Sequence, residues 1–241
     1  MRSFQRVKYS DKQSFNPKLV LFFSSFQNSP IYVELVTALF EKFCDLEIVF
    51  FGSPSSRFVC ELRQRGVSKI ICVKSGKSRS FSNLFLIMKR IHIRGKDFVL
   101  CFGQEASVIG LLLSYRARVE NRIYVRQHTS CERIEGNWRG VIYDTLCNMM
   151  SSELIVVSDN TREYMINVEK YEKPISVIPW AVIMQHKMSK SKQDMFGNIF
   201  KKKFIIGIAS RPSKMKGLEY SLPAIRKFLD KNHNCALLFV G

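Results

Sequence analysis

The segment Ser210-Arg-Pro-Ser-Lys-Met-Lys-Gly217 follows an apolar run and precedes a helix-like one, so it sets Arg211 and Lys216 at the start of a helix. Free backbone amides and the helix dipole already favour anions there. Two anchored cations beside such amides suit a diphosphate; the alternative is a solvated basic loop. His128, in Tyr124-Val-Arg-Gln-His-Thr-Ser130, stands just past another strand-like run. A lone histidine is more often structural, but at a strand exit, flanked by Thr129 and Ser130, it can hydrogen-bond a sugar hydroxyl or steer a proton. Nucleophilic catalysis has no candidate, because Cys131 beside His128 lacks an orienting group. Neither G-x-G-x-x-G nor G-x-x-x-x-G-K-S/T occurs, which argues against a dinucleotide oxidoreductase and a P-loop enzyme.

The elements that must hold these residues alternate. Lys18-Leu-Val-Leu-Phe-Phe-Ser-Ser25 has the form of a buried parallel strand. A helix over 30–43 follows, then a strand over 46–52, a helix over 55–66 and a strand over 69–73. Helices are expected at 82–93, 106–116, about 140–150 and 161–171, with strands at 97–102, 122–127, 153–158 and 175–178. Asn160 and Glu163 are a plausible capping pair for the helix at 161. A second unit comprises a strand at 204–209, a helix at 218–231 and a strand at 235–240. Such alternation predicts a doubly wound parallel α/β sheet. Its ligands gather at the carboxyl ends of strands. The loops to examine therefore include 24–29, with Ser25 and Gln27, then 103–105, 128–130, 158–160 and 210–217. Glu105 is the one acid placed at a strand end in the first half; a helix N-terminal Glu favoured by the dipole is its plainer reading.

Composition narrows the partners. A net charge of +18 over 241 residues calls for a polyanionic neighbour: nucleic acid, an anionic lipid surface or phosphate-rich substrates. Residues 57–96 carry eleven of the cations, including Lys74, Lys77 and Arg79, with only Glu61 inside the stretch and Asp97 at its edge. No nucleic-acid-binding signature accompanies the charge. The seven cysteines form no C-x-x-C pair and read as small buried hydrophobes. The four histidines share no ligand spacing with a cysteine, which argues against zinc; no metal or other cofactor is expected. No apolar stretch approaches the ~20 residues that span a bilayer, and the N-terminus lacks an apolar signal core. The expected location is cytosolic, or peripheral on the inner face of the membrane.

Three landmarks in order resemble one family. Glu153-Leu-Ile-Val-Val-Ser158, then a helix and Ile175-Ser-Val-Ile-Pro-Trp-Ala-Val182, is similar to the end of the first domain of family 4 glycosyltransferases, where a strand ending in Ser leads to an I-P-N-G-V crossover. Phe204-Ile-Ile-Gly-Ile-Ala-Ser-Arg211, Lys216-Gly217 and Ala236-Leu-Leu-Phe-Val-Gly241 resemble the G-x-x-x-R…K-G…V-G opening of that family's donor domain. Gln127-His-Thr-Ser130 resembles its histidine after the fifth strand. The resemblance implies a GT-B fold and retaining transfer from a UDP- or GDP-sugar without an essential metal. It assigns Arg211, Lys216, Gly217 and Ser158 to the donor, His128 to the transferred sugar, and the loops carrying Ser25, Gln27 and Glu105 to acceptor or donor. The acceptor is lipid-linked or a saccharide, in surface polysaccharide assembly, and Lys74, Lys77 and Arg79 would meet an anionic membrane. Two positions depart from the pattern: Ser24-Ser-Phe-Gln-Asn28 has no glycine, and the crossover reads Pro-Trp-Ala-Val.

The expected organisation is a tail over 1–17, an acceptor-side Rossmann-like domain over 18–183, a basic linker over 184–203 and the truncated start of a donor domain over 204–241. The family's carboxylate motif would lie past Gly241. The rival readings are a catalytically incomplete fragment or non-catalytic remnant binding an acidic partner, and a nucleic-acid-binding α/β protein motivated by charge alone.

Overall fold

The computed structural model describes residues 17–23, 30–43, 45–52, 56–73, 93, 95–128, 136–181, 204–210, 212 and 216–240, without the side chains of 30, 56 and 105. The helix expected at 82–93 (apart from Ile93), the linker and nearly all of the tail, and the loop with Ser25 and Gln27, lie outside them. So do Lys74, Lys77, Arg79 and Arg211. The described residues fall into two compact units.

The first unit is one parallel sheet of seven strands. In chain order it contains β1 (Lys18–Phe23), α1 (Pro30–Phe40), β2 (Asp45–Phe51), α2 (Ser56–Gln64), β3 (Ile70–Val73), β4 (Phe98–Phe102), α3 (Gln104–Arg116) and β5 (Asn121–Arg126). It closes with α4 (Trp138–Met150), β6 (Glu153–Val156), α5 (Asp159–Asn167) and β7 (Ile175–Val177). The strand order is β3-β2-β1-β4-β5-β6-β7. Every neighbouring pair is parallel, and β1 lies between β2 and β4, with Leu21 opposite Ile48 on one side and Leu100 on the other.

Both faces of the sheet are covered, which is why its central strands read as unbroken apolar runs. Side chains alternate across a strand. Val20 and Phe22 therefore point to a core with Val99 and Cys101, closed by Ala106 and Leu111 of α3, Cys147 of α4 and Met165 of α5. Leu19, Leu21 and Phe23 face the opposite core, closed by Val33 and Val36 of α1 and by Phe58 and Leu62 of α2. Each fully buried side chain of this size contributes about 1.5–3 kcal/mol. Helix α3 lies especially close to the sheet: a Cβ at Gly110 would stand 2.7 Å from Phe22 Cγ and 2.8 Å from Cys101 Sγ.

The amino-terminal edge of the sheet is tied by charge. Lys69 Nζ and Lys96 Nζ bind the two oxygens of Asp45 at 2.8 and 2.7 Å, and Lys96 also lies 3.5 Å from the buried Glu47. Arg65 binds Glu34 at 2.8 Å and Glu61 at 3.5 Å. These pairs bear on the basic stretch 57–96. Three of its cations are matched by carboxylates from outside the stretch or within it, and folding brings those acids in from β2 and α1.

The cap of α5 is corrected. Ser158, not Asn160, is the N-cap, and its Oγ accepts the Thr161 amide at 3.2 Å. The helix starts two residues earlier than expected because β6 stops at Val156. Helix α3 likewise begins at Gln104 rather than 106.

The second unit holds β8 (Phe204–Ala209), α6 (Leu218–Lys231) and β9 (Cys235–Val240). Its two strands pair in parallel, Phe204 opposite Cys235 through Ala209 opposite Val240, as a strand-helix-strand crossover requires. No helix among the described residues is long and apolar enough to cross a membrane.

Candidate functional site

In an open parallel sheet the ligand crevice lies beyond the carboxyl ends of the strands where the strand order reverses. Here that point is the β1/β4 boundary, since β2 and β3 run outward on one side and β4 to β7 on the other.

At the β4 exit Gly103 adopts φ 75° and ψ 150°, a conformation that disfavours any side chain. The chain thereby turns at once into α3. No side chain caps that helix start, so its first amides and its dipole face the reversal point. Glu105 lies in this first turn.

One strand further, β5 ends in Arg126, and Gln127 and His128 follow. Gln127 Nε2 donates to Tyr32 Oη of α1 at 3.0 Å. The Tyr32 ring meets Phe23, Phe102 and Trp180 edge to face, at centroid distances of 5.6, 5.9 and 5.4 Å. Phe23 and Phe102 are the last residues of β1 and β4, so the reversal point has an aromatic floor. Trp180, just past β7, keeps 38% of its surface exposed. His128 is exposed at the rim.

Beneath this rim lies a charge network that the sequence reading did not find. Arg126 is 2% exposed. Its Nη1 lies 2.5 Å from Asp144 Oδ1 of α4, its Nη2 3.0 Å from Glu169 Oε1, and its Nε donates to the His128 carbonyl at 2.8 Å. Asp144 Oδ1 also accepts from Gln104 Nε2 at 2.9 Å and from the Tyr124 hydroxyl at 3.3 Å. Gln104 Nε2 donates to the Gly140 carbonyl too, at 2.7 Å. Glu169 Oε2 accepts from Asn148 Nδ2 at 2.5 Å. Burial works against the Arg126 charge, but the paired carboxylates of Asp144 and Glu169 outweigh it and hold the guanidinium protonated. Burial likewise pushes the Tyr124 phenol up, so it stays a neutral donor. Removing one partner of such a buried pair costs about 3–5 kcal/mol, because a buried charge is left uncompensated.

At the β6 exit the Ser158 hydroxyl is engaged locally, with the Thr161 amide and with Thr161 Oγ1 at 2.9 Å. In the first unit Glu105, His128 and Ser158 thus follow three hydrogen-bonded neighbours, β4, β5 and β6. The second unit carries Lys216 and Gly217. Gly217 is the N-cap of α6 at φ 61°, again without a side-chain cap, and Lys216 is exposed beside it. The Gly217 carbonyl accepts the amides of Tyr220 and Ser221 at 3.1 Å.

The signal for Arg126 was present but faint: a charged residue closing the apolar run Ile123-Tyr-Val125. Its partners Asp144 and Glu169 are indistinguishable in sequence from solvated helix-surface acids. Trp180 stood out only as a departure from the crossover pattern.

The sequence matches no known family and none of the curated proteins. Solved structures do match. Alr3699/HepE of Anabaena, in complex with UDP and glucose, superposes with a TM-score of 0.62 at 15% identity, over 93% of this chain and 70% of that one. A glycosyltransferase from Rickettsia africae gives 0.56 at 13% identity, over 94% and 69%. A UDP-N-acetylglucosamine 2-epimerase from Rickettsia bellii gives 0.50 at 14% identity, over 92% and 62%. At such identities the likeness is one of architecture, and the architecture is α/β and Rossmann-like, shared with enzymes of the GT-B type.

Proposed function

We propose that this chain transfers a sugar from a nucleotide-sugar donor to an acceptor. The observation that carries this is the β1/β4 reversal point. There an uncapped helix start and the exposed His128 share one carboxyl edge, in a fold whose solved neighbour Alr3699/HepE holds UDP and glucose. Lys216, at the uncapped start of α6, and Arg211 stabilise the leaving diphosphate as its charge develops, which is the role a metal ion plays in other transferases. His128 acts on the transferred sugar, at an atom whose charge changes only in the transition state. The finer reading follows the family resemblance: transfer with retention from a UDP- or GDP-sugar to a lipid-linked or saccharide acceptor in surface polysaccharide assembly. Lys74, Lys77 and Arg79 then hold the enzyme against an anionic membrane, and Ser158 lines the donor side. The domain division at 183/184 and 203/204 belongs to the same reading.

A second reading is epimerisation of the nucleotide sugar itself, favoured by the likeness to the R. bellii epimerase. Calorimetric titration with a panel of UDP- and GDP-sugars, followed by NMR of the reaction mixture, separates the two. Transfer releases nucleoside diphosphate in step with a new glycoside, whereas epimerisation conserves the nucleotide sugar and inverts one ring carbon. His128→Ala should lower turnover strongly and leave nucleotide affinity nearly intact. Absence of binding across the whole panel would sink both readings.

A further inference from the structure

Three parts of the chain converge on one buried guanidinium: the β5 exit, helix α4 with the start of α3, and the turn after α5. Arg126 belongs to the end of β5, and its Nε holds the carbonyl of His128, two residues further on, at 2.8 Å. Through Nη1 it reaches Asp144, and through Asp144 the Gln104 amide that opens α3 at the β4 exit. Through Nη2 it reaches Glu169 in the turn after α5. Gln127, between Arg126 and His128, is fixed from the other side by Tyr32. The backbone carrying His128 is therefore gripped on both flanks.

The fork geometry matters more than the charge. A guanidinium offers five donors in a rigid plane and engages three acceptors in three directions. A lysine ammonium at the end of a flexible stem satisfies a carboxylate but has no Nε–H placed to meet the His128 carbonyl. Two carboxylates facing one cation would be an uneven arrangement for stability alone. Here Asp144 meets Nη1 and Glu169 meets Nη2; the same Asp144 Oδ1 also accepts from Gln104 and Tyr124, and the second oxygen of Glu169 accepts from Asn148.

We infer that Arg126 is a positioning residue: clamped between Asp144 and Glu169, it sets the β5 exit turn that presents His128 and registers that turn against the β4 exit. The inference rests on the proposed nucleotide-sugar reaction for its effect on turnover, and on geometry alone for its effect on the turn.

Arg126→Lys tests it with two readouts. Hydrogen exchange, resolved by peptide, should show faster exchange over 126–130 and 103–106 while β1 and β2 keep wild-type protection. Turnover should fall about ten- to a hundredfold with the donor KM unchanged, as expected when a reacting group is displaced by about 1 Å. Glu169→Gln keeps the shape and leaves the Arg126–Asp144 pair intact; it should fold even if Arg126→Lys does not, and should show the same local exchange pattern to a smaller degree. Wild-type exchange over 126–130 in both variants would overturn the inference, as would protection lost evenly across the sheet. Local exchange that rises while the wild-type enzyme acts on no nucleotide sugar would uphold the positioning role and reject the reaction.

Discussion

Substituting Gly110 by alanine adds a single methyl group at the closest approach of α3 to the sheet. That carbon would stand 2.7 and 2.8 Å from Phe22 Cγ and Cδ2, and 2.8 Å from Cys101 Sγ, where contact distances of about 3.5–4.0 Å are comfortable. Phe22 and Cys101 are completely buried, so neither can swing aside, and α3 must move outward by roughly 1 Å instead. Overpacking of this kind costs about 1–3 kcal/mol. Alanine recovers up to about 1 kcal/mol through its higher helix propensity. With three contacts under 3.0 Å the overpacking cost lies in the upper part of its range, about 2–3 kcal/mol, so the net expectation is a loss of about 1–2 kcal/mol, lowering Tm by roughly 2–8 °C in a domain of this size. The same displacement moves Gln104 and the α3 start, so affinity for nucleotide sugar should fall too. Thermal unfolding by circular dichroism measures the first effect and calorimetry the second. Gly207→Ala is the control: nothing stands within 4 Å of its Cβ, and alanine should be neutral or stabilise β8 by about 0.5–1 kcal/mol. A Gly110→Ala protein as stable as wild type would refute the close approach on which the estimate rests.

Ser158→Ala should cost about 1 kcal/mol by removing the α5 cap, seen as a lower urea midpoint; lost donor affinity at unchanged stability would instead assign its hydroxyl to the ligand. Hydrogen bonds from Lys69 and Lys96 hold the Asp45 carboxyl below the usual aspartate range. Because the folded value is depressed, its stabilising effect is complete above about pH 4 and is lost as pH falls through the lower folded value. Urea midpoints from pH 6 to 2 should therefore decline less steeply in Asp45→Asn than in wild type, and parallel curves would contradict this. Replacing Lys74, Lys77 and Arg79 by serine should weaken co-sedimentation with anionic vesicles, by about 1 kcal/mol per well-placed cation. Unchanged sedimentation would move any membrane contact to another surface.

The buried strands were legible because a parallel sheet covered on both faces leaves no polar alternation to hide them. Leu19 to Phe23 and Phe98 to Phe102 are unbroken apolar runs, and Ile48 to Phe51 is a shorter one. The strand exits followed, and with them the neighbourhood of His128, Glu105 and Ser158. What stayed hidden depends on tertiary pairing. Asp144 and Glu169 become partners of Arg126 only when α4 and the turn after α5 pack against the end of β5. Lys69 and Lys96 lose their apparent freedom only when β2 brings Asp45 beside them. The α5 cap was missed for a local reason. Ser158-Asp-Asn-Thr161 contains four residues able to cap, and the choice among them depends on where β6 ends.

The position of β1 has a consequence for biosynthesis. On the ribosome β1 can pair with β2 early, yet its other edge waits for β4, whose last partner residue is Phe102. At about 5–20 residues per second, the chain from Phe23 to Phe98 takes about 4–15 s to emerge. During that interval the nascent protein carries one of its most apolar strands with a bare row of amides and carbonyls, the form of edge that recruits foreign strands. The later strands, β5 to β7, each meet a neighbour already in place. Misassembly should therefore concentrate in chains interrupted before Phe102, and holdase chaperones should be captured on intermediates of that length.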